Sequence, residues 1–162
     1  MDYFVKEIDS KDARRIVSRY HYSGKVVPNS KLHLGIFKNV GYGDELVGCL
    51  SYGTSINSEK TTLKISDSLK MMELNRMVMT DHEPRNAESK ALSMCNKWLK
   101  QNTDVEWLLS FSDGKEDNVG YIYQANNWKY LGYIISDSFY ELDDNEFLHN
   151  ISIWHKYKIN TF

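Results

Sequence analysis

The 162-residue chain has little of several things, and each shortage excludes something. Its two cysteines, Cys49 and Cys95, lie inside apolar segments with neither CxxC nor Cys/His spacing. That argues against a zinc site or a disulfide framework and for buried free thiols in a reducing compartment. No apolar run approaches the ~18 residues that a membrane-spanning helix needs. The first residues, MDYFVKEIDSKDARR, carry charges where a signal peptide would have its apolar stretch, so no membrane partner and a cytoplasmic location are expected. There is no Pro/Gly-rich linker, internal repeat or low-complexity tract, and residues 1–162 read as one domain. A formal net charge of -2 gives no global pull toward nucleic acid.

What is present is an ordinary globular composition, 41% hydrophobic and 26% charged, with an unusual aromatic load of eleven Tyr and four Trp. A domain of this length buries roughly 70% of the surface its unfolded chain exposes, so it needs no disulfide or metal to hold a core. Tyr and Trp pair a flat face with a polar edge and serve cores and base stacking alike. Charge is unevenly spread: Lys11, Arg14, Arg15, Arg19, Lys25, Lys31 and Lys38 are opposed over their stretch only by Asp12, while acidic residues collect between Asp137 and Glu146. A basic face that meets phosphates and a solvated helix face both fit this pattern.

Asp9 or Ser10 can cap a helix from Lys11, with Ala13, Ile16, Val17 and Tyr20 at helical spacing and an end near His21. Leu32 to Phe37 and Leu46 to Tyr52 read as strands joined through Asn39 to Asp44 as a hairpin. Thr54 to Ser68 reads as a loop. Met72 to Met79 is a central strand, Pro84 fits a helix start, and Glu88 to Gln101 is an amphipathic helix. A strand at Val105 to Phe111, a turn at Asp113 and Gly114, and a helix near Val119 to Ala125 follow. Strands at Tyr130 to Ile135, Phe139 to Leu142 and Ile151 to Trp154 complete the order. The expected class is α/β or mixed α+β, a mixed sheet flanked by helices.

Four stretches resemble the Mom family of phage adenine-modification proteins. They are HYSG at His21 to Gly24, LVGCLSYG at Leu46 to Gly53, ELNRMVM with PRNAESKAL at Glu73 to Leu92, and SFSDG with GYIYQANNWKYLG at Ser110 to Gly132. They run in the family's order and span most of the chain. The resemblance implies a GNAT-like fold with a mostly antiparallel sheet. It also implies phage-encoded modification of the exocyclic amine of adenine in double-stranded DNA, with a carbamoylmethyl-like group that protects against restriction. A small-molecule donor of the acyl-CoA type is implied by the fold, and iron is the other cofactor the resemblance raises. One departure stands out. Where acetyltransferases of this fold carry a glycine-rich loop for the CoA pyrophosphate, this chain has Pro84-Arg85-Asn86-Ala87-Glu88-Ser89, with no glycine to ease backbone approach.

His21 can act as base or metal ligand near neutral pH, and Tyr22 can stack on a base; a capping His and a packing Tyr are the structural alternative. Arg76 sits mid-strand beside Asn75 and requires a partner, either a carboxylate such as Glu73 or Asp113, or a cofactor phosphate. Ser110, Ser112 and Asp113 close a strand at the end where open sheets bind ligands. Asp113 can orient His21, take a proton or ligate a metal, or it can simply form an Asx turn. Tyr123 matches the position from which the fold's acetyltransferases protonate a departing thiolate, with core packing as its rival. Arg85, Asn86 and Ser89 are the further cofactor candidates, and Tyr52 and Gln124 join Asn75 as substrate candidates. A conventional N-acetyltransferase and an inactive DNA- or protein-binding module are the competing functions. The DNA reading requires a basic groove leading to the region of His21 and Asp113.

Overall fold

The computed structural model describes residues 3–54, 70–112, 119–133, 139–142 and 146–149. The chain falls into two compact units, Met1–Lys129 and Tyr130–Phe162. In the first unit the order is β1 (Tyr3–Glu7), α1 (Ser10–Tyr20), β2 (Ser30–Asn39), β3 (Asp44–Gly53), β4 (Met71–Met79), α2 (Ala87–Asn102), β5 (Trp107–Leu109) and α3 (Tyr121–Ala125). The five strands form one sheet in sequence order, antiparallel except for the parallel pair β4 and β5. In the second unit β6 (Phe139–Leu142) and β7 (Glu146–His149) form an antiparallel pair, Phe139 opposite His149.

α1 forms where its pattern requires. Asp9 caps it by accepting from the Asp12 amide at 2.8 Å, and Ala13, Ile16 and Val17 form its buried stripe. That stripe packs with Cys49 and Val78 on one face of the sheet. On the other face Leu34, Ile36, Leu50 and Tyr52 pack with Ala91, Leu92, Cys95 and Leu99 of α2. Leu92 is fully buried, so truncation to Ala would cost about 2–5 kcal/mol. Both cysteines are buried free thiols.

Three irregularities shape the sheet. Registers shift between Ser30 and Leu32 and between Ile36 and Phe37 against β3, and between Ser51 and Tyr52 against β4. The second shift leaves Val47 as an extra residue, so Val47 joins Leu50 and Tyr52 in one core rather than Cys49 in the other. In the third, Ser51 faces Arg76 and Tyr52 faces Leu74, which makes Asn75 the bulged residue of β4. Gly53 allows this arrangement, because a β-carbon there would collide with the Asn29 carbonyl and lie 2.7 Å from Asn75 Oδ1.

The expected order holds with changes at its margins. β1 was not expected. The strand at Val105 to Phe111 contracts to Trp107–Leu109, the helix near Val119 to Ala125 to Tyr121–Ala125, and the helix at Pro84 begins three residues later. No strand occupies 130–133, and β7 was not foreseen. The segments 55–68 and 151–154 lie outside the described residues, apart from Thr54 at the start of the expected loop.

Candidate active site

The parallel pairing of β4 with β5 ends at Glu73 and Leu109. One residue further on, the Ser110 hydroxyl lies 3.3 Å from the Leu74 carbonyl and 2.8 Å from the Tyr123 hydroxyl. Beyond that point β4 carries the Asn75 bulge and departs from β5, a place where irregular backbone aims side chains at ligands. Asn75 is 8% exposed and sits in a short polar chain: its Oδ1 accepts from Ser30 Oγ at 2.9 Å, and its Nδ2 donates to the equally buried Glu73 carboxylate at 3.2 Å.

Arg76 does not pair with Glu73. Its Nε donates to the Lys25 carbonyl at 2.9 Å and its Nη1 to the Asn75 carbonyl at 2.6 Å. Among the described residues no carboxylate forms an ion pair with Arg76, and both oxygens that hold the guanidinium belong to backbone carbonyls. Of the two carboxylates expected as partners, Glu73 is engaged by Asn75 and Asp113 lies outside the described residues; the bulge and the 24–26 loop bring two backbone carbonyls to the guanidinium edge. Its field reaches His21.

His21 ends α1, its amide bonded to the Val17 carbonyl, and its ring stacks on Tyr22 with centroids 4.3 Å apart. Burial first, and the Arg76 charge second, lower its pKa from 6.5 to about 4. The ring is therefore neutral at physiological pH. Nδ1 accepts from the Ser23 amide at 3.1 Å and lies 2.8 Å from the Ser23 hydroxyl. A backbone N–H can only donate, so Nδ1 carries the lone pair and the proton belongs to Nε2. In this geometry His21 presents a hydrogen-bond donor. Acting as a base at Nε2 would require the other tautomer and loss of the Ser23 amide bond.

Tyr123 packs against Trp128, centroids 5.3 Å apart. Burial raises its pKa, the Ser110 hydroxyl partly offsets that, and the Tyr22 phenol adds a smaller rise. The net effect keeps Tyr123 protonated, as a proton donor must be. His21, Tyr22, Arg76, Asn75, Ser110 and Tyr123 thus share one neighbourhood.

The remaining candidates lie elsewhere. Tyr52 is fully buried in the core; its hydroxyl has no oxygen or nitrogen partner and faces the Cys95 thiol, so no surface of it meets a substrate. Gln124 is exposed and turns back to the Val119 carbonyl at 2.9 Å. Ser112 lies near Gly120, just before α3. Asp113 lies outside the described residues. Arg85, Asn86 and Ser89 form a second location, an open cleft of about 790 Å³ at the start of α2, lined also by Glu83, Glu88, Tyr121 and Ile122. There Asn86 adopts φ 70 and ψ 13, the left-handed conformation a glycine would otherwise supply, and makes no side-chain cap bond. The uncapped first turn, Arg85 and the Ser89 hydroxyl fit a phosphate-bearing group. Among the described residues no group of three or more His, Cys, Asp or Glu is disposed to hold a metal ion; of the two metal candidates, His21 accepts from Ser23 at Nδ1 and Asp113 lies outside those residues. Among the described residues, too, no helix is long and apolar enough to cross a membrane.

Ser23, Lys25 and Asn126 are functional neighbours that the sequence reading did not single out. Ser23 sits in the HYSG stretch and could have been flagged by adjacency; Lys25 acts through its carbonyl, which no side-chain pattern marks. Asn126 donates to the Ser89 carbonyl and hydroxyl and to the Ile122 carbonyl, tying α3 to the first turn of α2. His33, bonded to the buried Ser51 at 2.8 Å beneath α1, also went unread.

Comparison with known proteins decides the family. The Mom protein family matches residues 2–161. The chain belongs to the Mom family. Methylcarbamoylase mom of Escherichia phage Mu is 41% identical over 152 residues, covering 92% of this chain, and the chain spans 61% of the length of that Mom relative. Among solved structures, AAC(6')-Iy in complex with the bisubstrate analogue CoA-S-monomethyl-acetylneamine superposes with a TM-score of 0.57 at 10% identity, covering 84% of this chain and 97% of that one. A possible acetyltransferase from Clostridium difficile 630 gives the same TM-score and identity, covering 86% and 97%. At this identity the likeness shows the fold alone: this Mom family member has a GNAT-like acetyltransferase fold.

Proposed function

We propose that this protein is a phage-encoded transferase that modifies double-stranded DNA in the cytoplasm of a bacterial host, joining a small acyl-derived group, carbamoylmethyl-like in size and composition, through its acyl carbon to the exocyclic amine of adenine and so blocking restriction. The observation that carries the reading is family membership over nearly the whole chain, joined to a site in which a neutral His21, a charged Arg76 and a protonated Tyr123 meet where β4 and β5 part. An adenine inside a duplex is out of reach, so the base must leave the stack, and Tyr22, 74% exposed, offers the flat face to receive it. His21 Nε2–H then donates to a ring nitrogen of the base or to the acyl oxygen, where a neutral imidazole stabilises growing charge. Arg76 adds fixed positive charge to the same region. Asp113 is the group proposed to accept the amine proton. Tyr123 supplies a proton to the leaving atom, and Ser110 can turn from the Leu74 carbonyl to stabilise the phenolate that results.

The donor class is acyl-CoA. Arg85, Ser89 and the first-turn amides of α2 would hold its phosphates, and when bound it supplies the activated acyl group. Support comes from the uncapped helix start and the left-handed Asn86, which replaces the absent glycine.

Expression in bacteria followed by mass spectrometry of nucleosides from total DNA tests this. A new adenosine-derived species, absent with His21→Ala and with Asp113→Ala, is the expected result. Unmodified DNA in cells holding soluble, folded protein would refute the reading in favour of a conventional acetyltransferase or a binding module.

A further inference from the structure

The exposed side of α1 carries Lys11, Arg14, Arg15 and Ser18, spaced three, four and seven residues apart, on the helix face opposite buried Ala13, Ile16 and Val17. Together with Gly24, Lys25 and Val26 these residues line a groove of about 510 Å³. The charge in it is largely uncompensated. Ion pairs take up Lys6, Lys38 and Lys70 on other parts of the surface, with Asp44, Glu83 and Glu106. Among the described residues only Arg15 of the groove is ion-paired, with Asp12 at 3.2 Å, and Arg14 reaches the Ser10 hydroxyl at 3.5 Å. Lys38, which the sequence places in the same basic run, is drawn away by Glu83 and Glu45.

The groove is joined to the site by covalent neighbours. Lys25, on its wall, holds Arg76 through its carbonyl, and Ser23, two residues earlier, fixes the His21 ring. From Lys11 to Arg15 the helix rises about 6 Å, close to two nucleotide steps at about 3.4 Å per step. A row of cations on that scale matches consecutive phosphates along one strand.

We infer that the groove between α1 and the Gly24–Val26 loop holds the phosphodiester backbone of double-stranded DNA and so sets where the duplex lies relative to His21. The inference rests on DNA being the substrate and adds the surface that receives it. The backbone contacts fix register and orientation, while the sequence of the site is read elsewhere. Arg14, Lys11 and Lys25 carry it.

The test is the triple variant Lys11→Gln/Arg14→Gln/Lys25→Gln, with Lys97→Gln/Lys100→Gln on exposed positions of α2 as a control for net charge. All three groove positions are exposed, so folding is preserved. Affinity for a fluorescent 20-base-pair duplex is measured from about 50 to 200 mM salt. Loss of three phosphate contacts lowers the slope of log affinity against log salt by about 2.7, and weakens binding about 10- to 100-fold at low salt. The control keeps the wild-type slope. Wild-type affinity and slope in the triple variant would overturn the inference, as would a groove-dependent preference for poly-glutamate over the duplex. Nucleoside analysis separates the two readings. Wild-type protein that leaves DNA unmodified but binds it through these residues sinks the function and keeps the groove. A triple variant that binds and modifies DNA like wild type sinks the groove and keeps the function.

Discussion

Replacing Asn75 by Ala perturbs the one residue that both forms the β4 bulge and satisfies the polar groups around it. Two hydrogen bonds go. The bond from Ser30 is between neutral groups, worth about 1 kcal/mol, and the bond to the Glu73 carboxylate, about 1.5–3 kcal/mol. Glu73 is 8% exposed, so its carboxylate cannot recover full hydration when Nδ2 disappears. The expected loss is about 3 kcal/mol, and at about 2–4 °C per kcal/mol for a chain of this size the melting temperature falls by about 6–12 °C. Urea unfolding and calorimetry measure it. A thermodynamic cycle with Glu73→Gln isolates the cause, because the amide removes the stranded charge and the double variant should recover about 1–2 kcal/mol relative to additivity. A melting temperature within about 2 °C of wild type, or strict additivity in the cycle, would show that the Ser30–Asn75–Glu73 chain contributes nothing to the fold.

His21 should titrate near pH 4 by NMR of its ring, well below 6.5, and Arg76→Gln should return less than half of that depression because burial is the larger cause. The sign follows from linkage. Between pH 6.5 and about 4 the unfolded chain takes up a proton that folded His21 refuses, so this residue's contribution to stability declines as pH falls through that window. Activity should show no acidic limb near pH 6.5 from His21; such a limb, abolished in His21→Gln, would refute the neutral-donor assignment. Tyr123→Phe should lower kcat about 10²–10⁴-fold with little change in KM, and an unchanged kcat would remove Tyr123 from proton transfer.

Much of the fold is legible because apolar spacing sets it. Ala13, Ile16 and Val17 announce α1, and Ala91, Leu92, Cys95 and Leu99 announce α2. β1 is hidden because its inward residues, Tyr3 and Val5, are only two, set among Lys6 and Glu7. The bulges at Val47 and Asn75 are hidden for a different reason: an extra residue changes which face every later side chain takes, and nothing local records it. Tyr52, a plausible substrate contact by sequence, shares the face of Leu50 and lies in the core. At the site, residue types were readable and their partners were not. Arg76 demanded a counterpart, and the two carbonyls that meet it are brought there by the loop and bulge together.

The three hydrogen bonds of the Asn126 amide join the start of α2 to the helix that bears Tyr123. One side chain therefore sets the distance between the place that would grip a donor's phosphates and the hydroxyl that would meet its reacting end. The protein contains a ruler, and a donor whose tail is shorter or longer than that ruler would present its carbonyl to empty space, whatever its acyl group.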